Sequence, residues 1–264
     1  MGRDETSGEY SVLYADARGV SRIYHMSLED RVWRIWRSAP GFNQRFEGRL
    51  SADGRNIEAH WEKSDVPLHC WCGHVRGVAI GVSPSSGFRF VCYCKDCQAF
   101  ARFLGRADLL DRVGGTDIFQ MPPGRVKLTT GTDAMRCLRL SPRSPVLRWY
   151  AECCRTPIGN TAASSRFPIV AIIHSLLDHE GRPRVEVLGP PLCRIYERSA
   201  VGPLPPNAPP PPSLRVFGRR ASKLLGWLVR GLNRPTPFFD DCTKAPRAKP
   251  HVLTPSERAT LYSG

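Results

Sequence analysis

Cys92-Tyr93-Cys94-Lys95-Asp96-Cys97 places three thiols within six residues, and this stretch decides the fold. The run Phe88 to Tyr93 that leads into it is strand-like. Asp96 to Leu104 reads as a short helix, because Phe100 and Leu104 fall four apart on one face. The three cysteines therefore stand on a strand-to-helix corner. Thiolates packed this closely suit a soft tetrahedral metal such as zinc, whose ligands converge about 2.3 Å from the ion. Lys95 and the start of the helix both favour thiolate over thiol. Three protein ligands leave a fourth position for water or a substrate thiol, whereas a ligand from a distant stretch would close the site and leave it only to pin the corner.

Two further knots flank this one. Cys70-Trp71-Cys72 precedes it and the adjacent pair Cys153-Cys154 follows, so seven of the ten cysteines are clustered. Neighbours one residue apart rarely reach disulfide geometry, and nothing else marks the chain as secreted. Cys70 and Cys72 need partners, and Cys153 and Cys154 offer them. A zinc closed by these residues would staple the two ends of a β domain, with stability as its function. His69 and His74 flank the first knot as substitute ligands. Cys137, Cys193 and Cys242 stand alone, as do His25, His60, His174, His179 and His251, and none is given a role.

The segments between and after the knots read as strands: Val75 to Val82, Arg125 to Thr130, Ala134 to Leu140, Val146 to Ala151 and Ile169 to Ile173. Residues 68–200 then form a mainly β, zinc-binding domain with short helices. Residues 1–67 precede it. The first 18 are polar and expected to be loose; their start, Met1-Gly2 to Thr6, formally matches an N-myristoylation pattern. Four short strands follow as a partial antiparallel meander, with Ser51-Ala52-Asp53-Gly54-Arg55 as a hairpin turn. Seven prolines between Pro203 and Pro212 make residues 201–213 a stiff spacer. Residues 214–264 are a basic tail. Phe217, Ala221, Leu224, Leu228 and Leu232 recur there at helical intervals, so an amphipathic helix packing through that stripe is expected. Contact of this helix with an anionic membrane surface is the alternative. A short helical turn is expected at Pro255 to Leu261.

Composition narrows the function classes. No stretch approaches the roughly 18 apolar residues of a membrane span, and the N-terminus has no signal-peptide core. A cytoplasmic, reducing setting is expected. The net charge of +14 invites a nucleic-acid partner, but residues 214 to 250 alone hold nine Lys or Arg against two Asp, half of that excess. The remaining arginines are scattered, without the stacking aromatics of an RNA reader. No specific nucleic acid is expected.

In order, Cys70-Trp71-Cys72-Gly73, a strand, Cys92-Tyr93-Cys94-Lys95-Asp96-Cys97 and Cys154-Arg155-Thr156-Pro157 resemble the glutathione-dependent formaldehyde-activating enzyme family. That family shares its domain with centromere protein V. Phe167-Pro168 and Leu177-Asp178 follow the same layout, and the likeness covers about residues 68 to 190. Cys97-Gln98-Ala99-Phe100-Ala101, Gly114 to Gln120 and Pro237-Phe238-Phe239-Asp240 resemble an uncharacterised bacterial branch of it. The resemblance implies a β-tent (Mss4-like) fold with two zinc ions. One is structural, on Cys70, Cys72 and the Cys153/Cys154 pair. The other is catalytic, on Cys92, Cys94 and Cys97, and receives the sulfur of glutathione in carbon–sulfur lyase chemistry. A small-molecule thiol or thiol adduct is the implied partner. Where the family carries a ligand cysteine, this chain has Ala151, with Cys153 instead beside Cys154. The structural ion is then expected to use one of the two, or to recruit His69. Ahead of this domain, the Gly41-Phe42 to Phe46 segment, the Asp-Gly hairpin and the Trp61-Glu62 ending resemble the closing strands of a lipocalin-like barrel. Two rivals to the enzyme remain: a non-catalytic zinc-stabilised module that binds through its basic tail, and a redox dithiol protein.

Overall fold

Short β-branched and aromatic runs punctuated by glycine and proline build a chain dominated by strands. The computed structural model describes all residues except 1, 4, 6, 7, 16–20, 38–43, 64, 180, 182 and 264, and the side chains of 60–63. Met1, Thr6, Gly41 and Phe42, on which two of the motifs above partly rest, lie outside the described residues. The chain divides into two units, Met1–Asp65 with Ile80–Ser83, and Val66–Ala79 with Pro84–Gly264.

The first unit is an antiparallel meander in sequential order: β1 (Gly2–Arg3), β2 (Tyr10–Ala15), β3 (Ser21–Glu29), β4 (Val32–Arg37), β5 (Gln44–Leu50) and β6 (Ile57–Lys63). The Asp-Gly turn sets the β5–β6 register at Phe46↔Trp61, Gly48↔Ala59 and Leu50↔Ile57. The expectation of a loose N-terminus is corrected. Tyr10 to Ala15 pair residue for residue with Met26 to Ser21. β2 is partly or fully exposed along its length, so it lacks the alternation that would have betrayed it.

The second unit begins with β7 (Val66–His69), β8 (Arg76–Ala79), β9 (Phe88–Cys92) and helix α1 (Lys95–Leu104). It continues through β10 (Thr116–Met121), β11 (Val126–Thr130), β12 (Met135–Arg139), β13 (Val146–Ala151), β14 (Thr156–Ala162) and β15 (Val170–Ile173). Helix α2 (Arg184–Leu188), β16 (Cys193–Ile195), α3 (Leu214–Val229), β17 (Pro250–Val252) and α4 (Pro255–Tyr262) complete it. One sheet runs β16-β9-β10-β15-β14-β13-β12-β17, and a small one runs β11-β8-β7. The large sheet is antiparallel except at its two edges, where β16 on β9 and β17 on β12 are parallel. The chain is thus mainly β, with several antiparallel sheets and short helices. β14 was not expected from the sequence, and it contains Pro157 and Gly159, residues that disfavour strands. Here they lie opposite a register shift between Trp149 and Tyr150, a bulge that tolerates both.

Ladder pairing puts Phe88, Phe90 and Cys92 on the same face of the large sheet as Ile118, Ala171, Asn160 and Arg148. Helix α1 covers part of this face, burying Phe100, Ala101 and Leu104 against Leu138, Tyr150 and Ile173. On the opposite face Trp149 is fully buried, bonds Thr161 Oγ1 at 2.9 Å and packs on Phe238 and Phe239.

Helix α3 departs from its expected face. Phe217 and Leu228 are half exposed, Leu214 is 90% exposed, and Trp227 is the buried residue. Two basic side chains set this rotation. Arg220 Nε donates to Gln120 Oε1 at 3.0 Å, and Lys223 Nζ reaches the Ser85 carbonyl. Their apolar stems can then lie along the protein while the heads find acceptors. Among the described residues no helix is long and apolar enough to cross a membrane.

Phe238 ties the segment after α3 to the sheet, and it is fully buried. Phe238→Ala should lower unfolding stability by about 3–5 kcal/mol, as cavity-forming aromatic truncations do, measured by denaturant titration.

Candidate metal centres

The Cys70-Trp71-Cys72-Gly73 loop is folded by its own backbone. Gly73 N–H returns to the Cys70 carbonyl at 2.8 Å, with Gly73 in the left-handed region, and Val75 N–H donates to Cys70 Sγ at 3.2 Å. Trp71 N–H donates to Thr156 Oγ1 at 2.9 Å, which joins this loop to the turn after β13. That turn brings Cys153 and Cys154 across, helped by Arg155 at φ 57°. The four Sγ atoms lie within 4.8 Å of one another. Cys70–Cys72 is 3.6 Å, Cys70–Cys153 3.8 Å, Cys72–Cys153 3.4 Å and Cys153–Cys154 3.8 Å. Four sulfurs about 2.3 Å from a central ion stand about 3.8 Å apart in a tetrahedron. The spacing is compatible with zinc, and both adjacent cysteines belong to the set. His69 does not: its Nε2 faces Asp178 Oδ2 at 3.4 Å. Burial opposes ionisation of Cys154, but bonds from the Thr156 hydroxyl and the Cys72 amide prevail and draw its thiol down to about 6.

The second centre sits at the β9–α1 corner. Cys92 ends the strand, Cys94 caps the helix by accepting from Cys97 N–H at 3.4 Å, and Cys97 lies in the first turn. Their three Sγ atoms are within 4.8 Å of one another, and among the described residues no fourth His, Cys, Asp or Glu joins them. Cys92 and Cys97 are buried. Three thiols this close cannot all ionise unaided. Bonds from the Cys92 and Cys94 thiols draw Cys97 well below its usual range against burial, with Arg148 adding to the effect. Bonds with Cys94 and Cys97, together with burial, push Cys92 up. Ionisation is thus favoured at Cys97 over Cys92 and Cys94, and a divalent cation would displace the remaining protons.

The cation already at this corner was missed in the sequence. Lys95 is exposed, and the buried charge is Arg148, 4% exposed. Its Nη1 lies 3.9 Å from Cys97 Sγ and 3.4 Å from Asn160 Oδ1, and its Nη2 is 3.7 Å from Asp96 Oδ2. Its guanidinium rests over the Phe100 ring, 5.4 Å from the centroid. Tyr262 of α4 donates to Asp96 Oδ1, so the C-terminal helix buttresses the same corner. The available signal was a lone arginine in the apolar run Val146-Leu147-Arg148-Trp149-Tyr150. Two buried polar atoms beside the centre have no hydrogen-bond partner, Arg148 Nε and Thr116 Oγ1, the latter on the residue paired with Cys92.

Both cysteine groups can hold a metal ion. Residues 63–248 match the model of a family of unknown function, DUF6151. The chain belongs to that family. Comparisons with curated proteins and with solved structures gave no match. The DUF6151 segment holds all seven clustered cysteines together with Arg148, so both centres lie wholly inside it.

Two outcomes follow from this geometry. Arg148→Met should weaken zinc binding at the three-cysteine centre about 10–100-fold in a chelator competition, while the four-cysteine centre keeps its affinity. In metal-free, reduced protein, alkylation of Cys154 should rise through about pH 6 rather than near the pKa of a free cysteine, about 8.5, as followed by peptide mass spectrometry.

Proposed function

We propose that this DUF6151 protein is a two-zinc protein of the glutathione-dependent formaldehyde-activating type. In this reading Cys70, Cys72, Cys153 and Cys154 hold a structural ion, and Cys92, Cys94 and Cys97 hold a reactive one. A β-tent arrangement of the second unit belongs to the same proposal. One observation carries it: four sulfurs gather at one centre and three at the other, with no fourth donor among the described residues. Saturation by four thiolates suits a staple, and three ligands suit a site with room for substrate.

Zinc at the three-cysteine centre would supply a Lewis acid that keeps a substrate thiol ionised near neutral pH. The chain's own residues do the remainder. Cys94 and the first turn of α1 fix the donor positions. Arg148 offsets the net negative charge that three thiolates leave around a divalent ion, and Phe100 and Ile118 help exclude water. The reaction that fits is addition of a thiolate to an aldehyde carbon. A carbon–sulfur bond forms as the carbonyl π bond breaks, and the carbonyl oxygen takes up the proton that the thiol gave up, as in S-hydroxymethylglutathione formation. Glutathione is the co-substrate of the formaldehyde-activating family that the sequence resembles and is the first thiol to try.

The test is metal content together with thiol binding on the full chain. Two zinc ions per chain are expected, falling to one in Cys94→Ser. Cobalt in place of zinc should show a thiolate absorption change when glutathione or another small thiol is added. Two tightly held ions with no thiol response would instead favour a non-catalytic, zinc-stabilised module. Reversible Cys94–Cys97 oxidation without bound metal would favour a redox protein.

A further inference from the structure

A cavity of about 550 Å³ lies on the sheet face that carries Cys92, within the roughly 300–1,000 Å³ of small-molecule sites. Strand alternation makes Phe88 and Phe90 its floor, four and two residues before Cys92 on the same side of β9. Ile195 of β16 lines it too and pairs in parallel register with Cys92. Val216 and Phe217 of α3 form the opposite wall. The cavity and the three-cysteine centre share one packed cluster, in which Phe88, Phe90, Ile195 and Val216 accompany Cys92, Cys94 and Cys97.

Its charge is one-sided. Arg194, Arg198 and Arg220 border the cavity, against Glu197 alone. Glu197 is already engaged, since Arg194 Nε donates to Glu197 Oε2 at 2.5 Å and a second Arg194 nitrogen bonds the Pro209 carbonyl. Arg220 uses Nε on Gln120 Oε1 and has no carboxylate partner among the described residues. Arg198 is exposed and likewise has none. Two uncompensated guanidinium groups at the edge of an apolar cavity call for an anion on an apolar body, and planar guanidinium suits a carboxylate. The aromatic floor does not suit a hydrophilic peptide backbone, whose amides would enter unpaired.

We infer that this cavity holds the body of the substrate, and that the substrate is an apolar, aryl or branched alkyl, thiol bearing a carboxylate. The carboxylate lies at Arg198 and Arg220, and the sulfur points to Cys92, Cys94 and Cys97. This rests on the open-centre function proposed above and narrows its substrate class away from glutathione.

Full-length protein loaded with cobalt can be titrated with 3-mercaptobenzoate, with its methyl ester and with glutathione, following the cobalt–thiolate absorption. The acid should bind at least about tenfold more tightly than the ester. Arg198→Glu, an exposed change that leaves the fold intact, should erase that difference while ester binding persists, and Arg220→Gln should reduce it. Equal binding of acid and ester, or tighter binding of glutathione than of the acid, would overturn the cavity assignment and leave the open centre standing. If no thiol alters the cobalt spectrum, the open centre itself fails and this inference with it.

Discussion

Crowded sulfur is the constraint on which the second unit depends. Thiols repel one another as thiolates, and each costs free energy to ionise away from water. Yet the chain brings seven of them into two groups, each within 4.8 Å. No apolar packing rule explains this, because leucine or valine would fill the same space without electrostatic cost. The arrangement makes physical sense when cations are expected: N–H donors aim at Cys70 and Cys94, and Arg148 stands against Cys97. Strand, turn and helix ends at both centres are shaped to present sulfur, and much of the local backbone conformation follows from that demand.

The parts of this design that are local in sequence could be read from it. Cys92, Cys94 and Cys97 lie within one turn of chain, and Phe100 and Leu104 mark the helix that follows. The Asp53-Gly54 hairpin is equally local, and its register came out of the turn itself. What could not be read is what distance hides. That Cys153 and Cys154 both reach Cys70 and Cys72 depends on a bulged β13–β14 ladder and on Arg155 in the left-handed region, neither of which has a short-range signal. Arg148 lies some fifty residues from Cys97 and meets it only because three strands separate β13 from β9 in the sheet.

Helix α3 shows a different limit. Its apolar periodicity was real, but periodicity names the most hydrophobic face, not the face the protein uses. Arg220 and Lys223 find acceptors on Gln120 and Ser85, and those two bonds orient the helix so that Val216 and Trp227 turn inward while Phe217 and Leu228 remain half exposed. A polar anchor of this kind costs little to satisfy and much to leave unmade, so it can outweigh a stripe interrupted by Gly218 and Gly226.

The two centres also differ in how they meet water, and the difference bears on their roles. Cys72 and Cys153 are exposed, whereas Cys92 and Cys97 are buried among Phe88, Phe90 and Ile118. A closed four-sulfur set has no position to offer solvent, so exposure does it no harm. An incomplete set has such a position, and surrounding it with apolar side chains strengthens every electrostatic interaction there, since the same charges attract more strongly as the local dielectric falls. Placing Arg148 beside that set then makes burial of net negative charge tolerable, and a guanidinium, with no lone pair to give, adds no ligand to the three sulfurs.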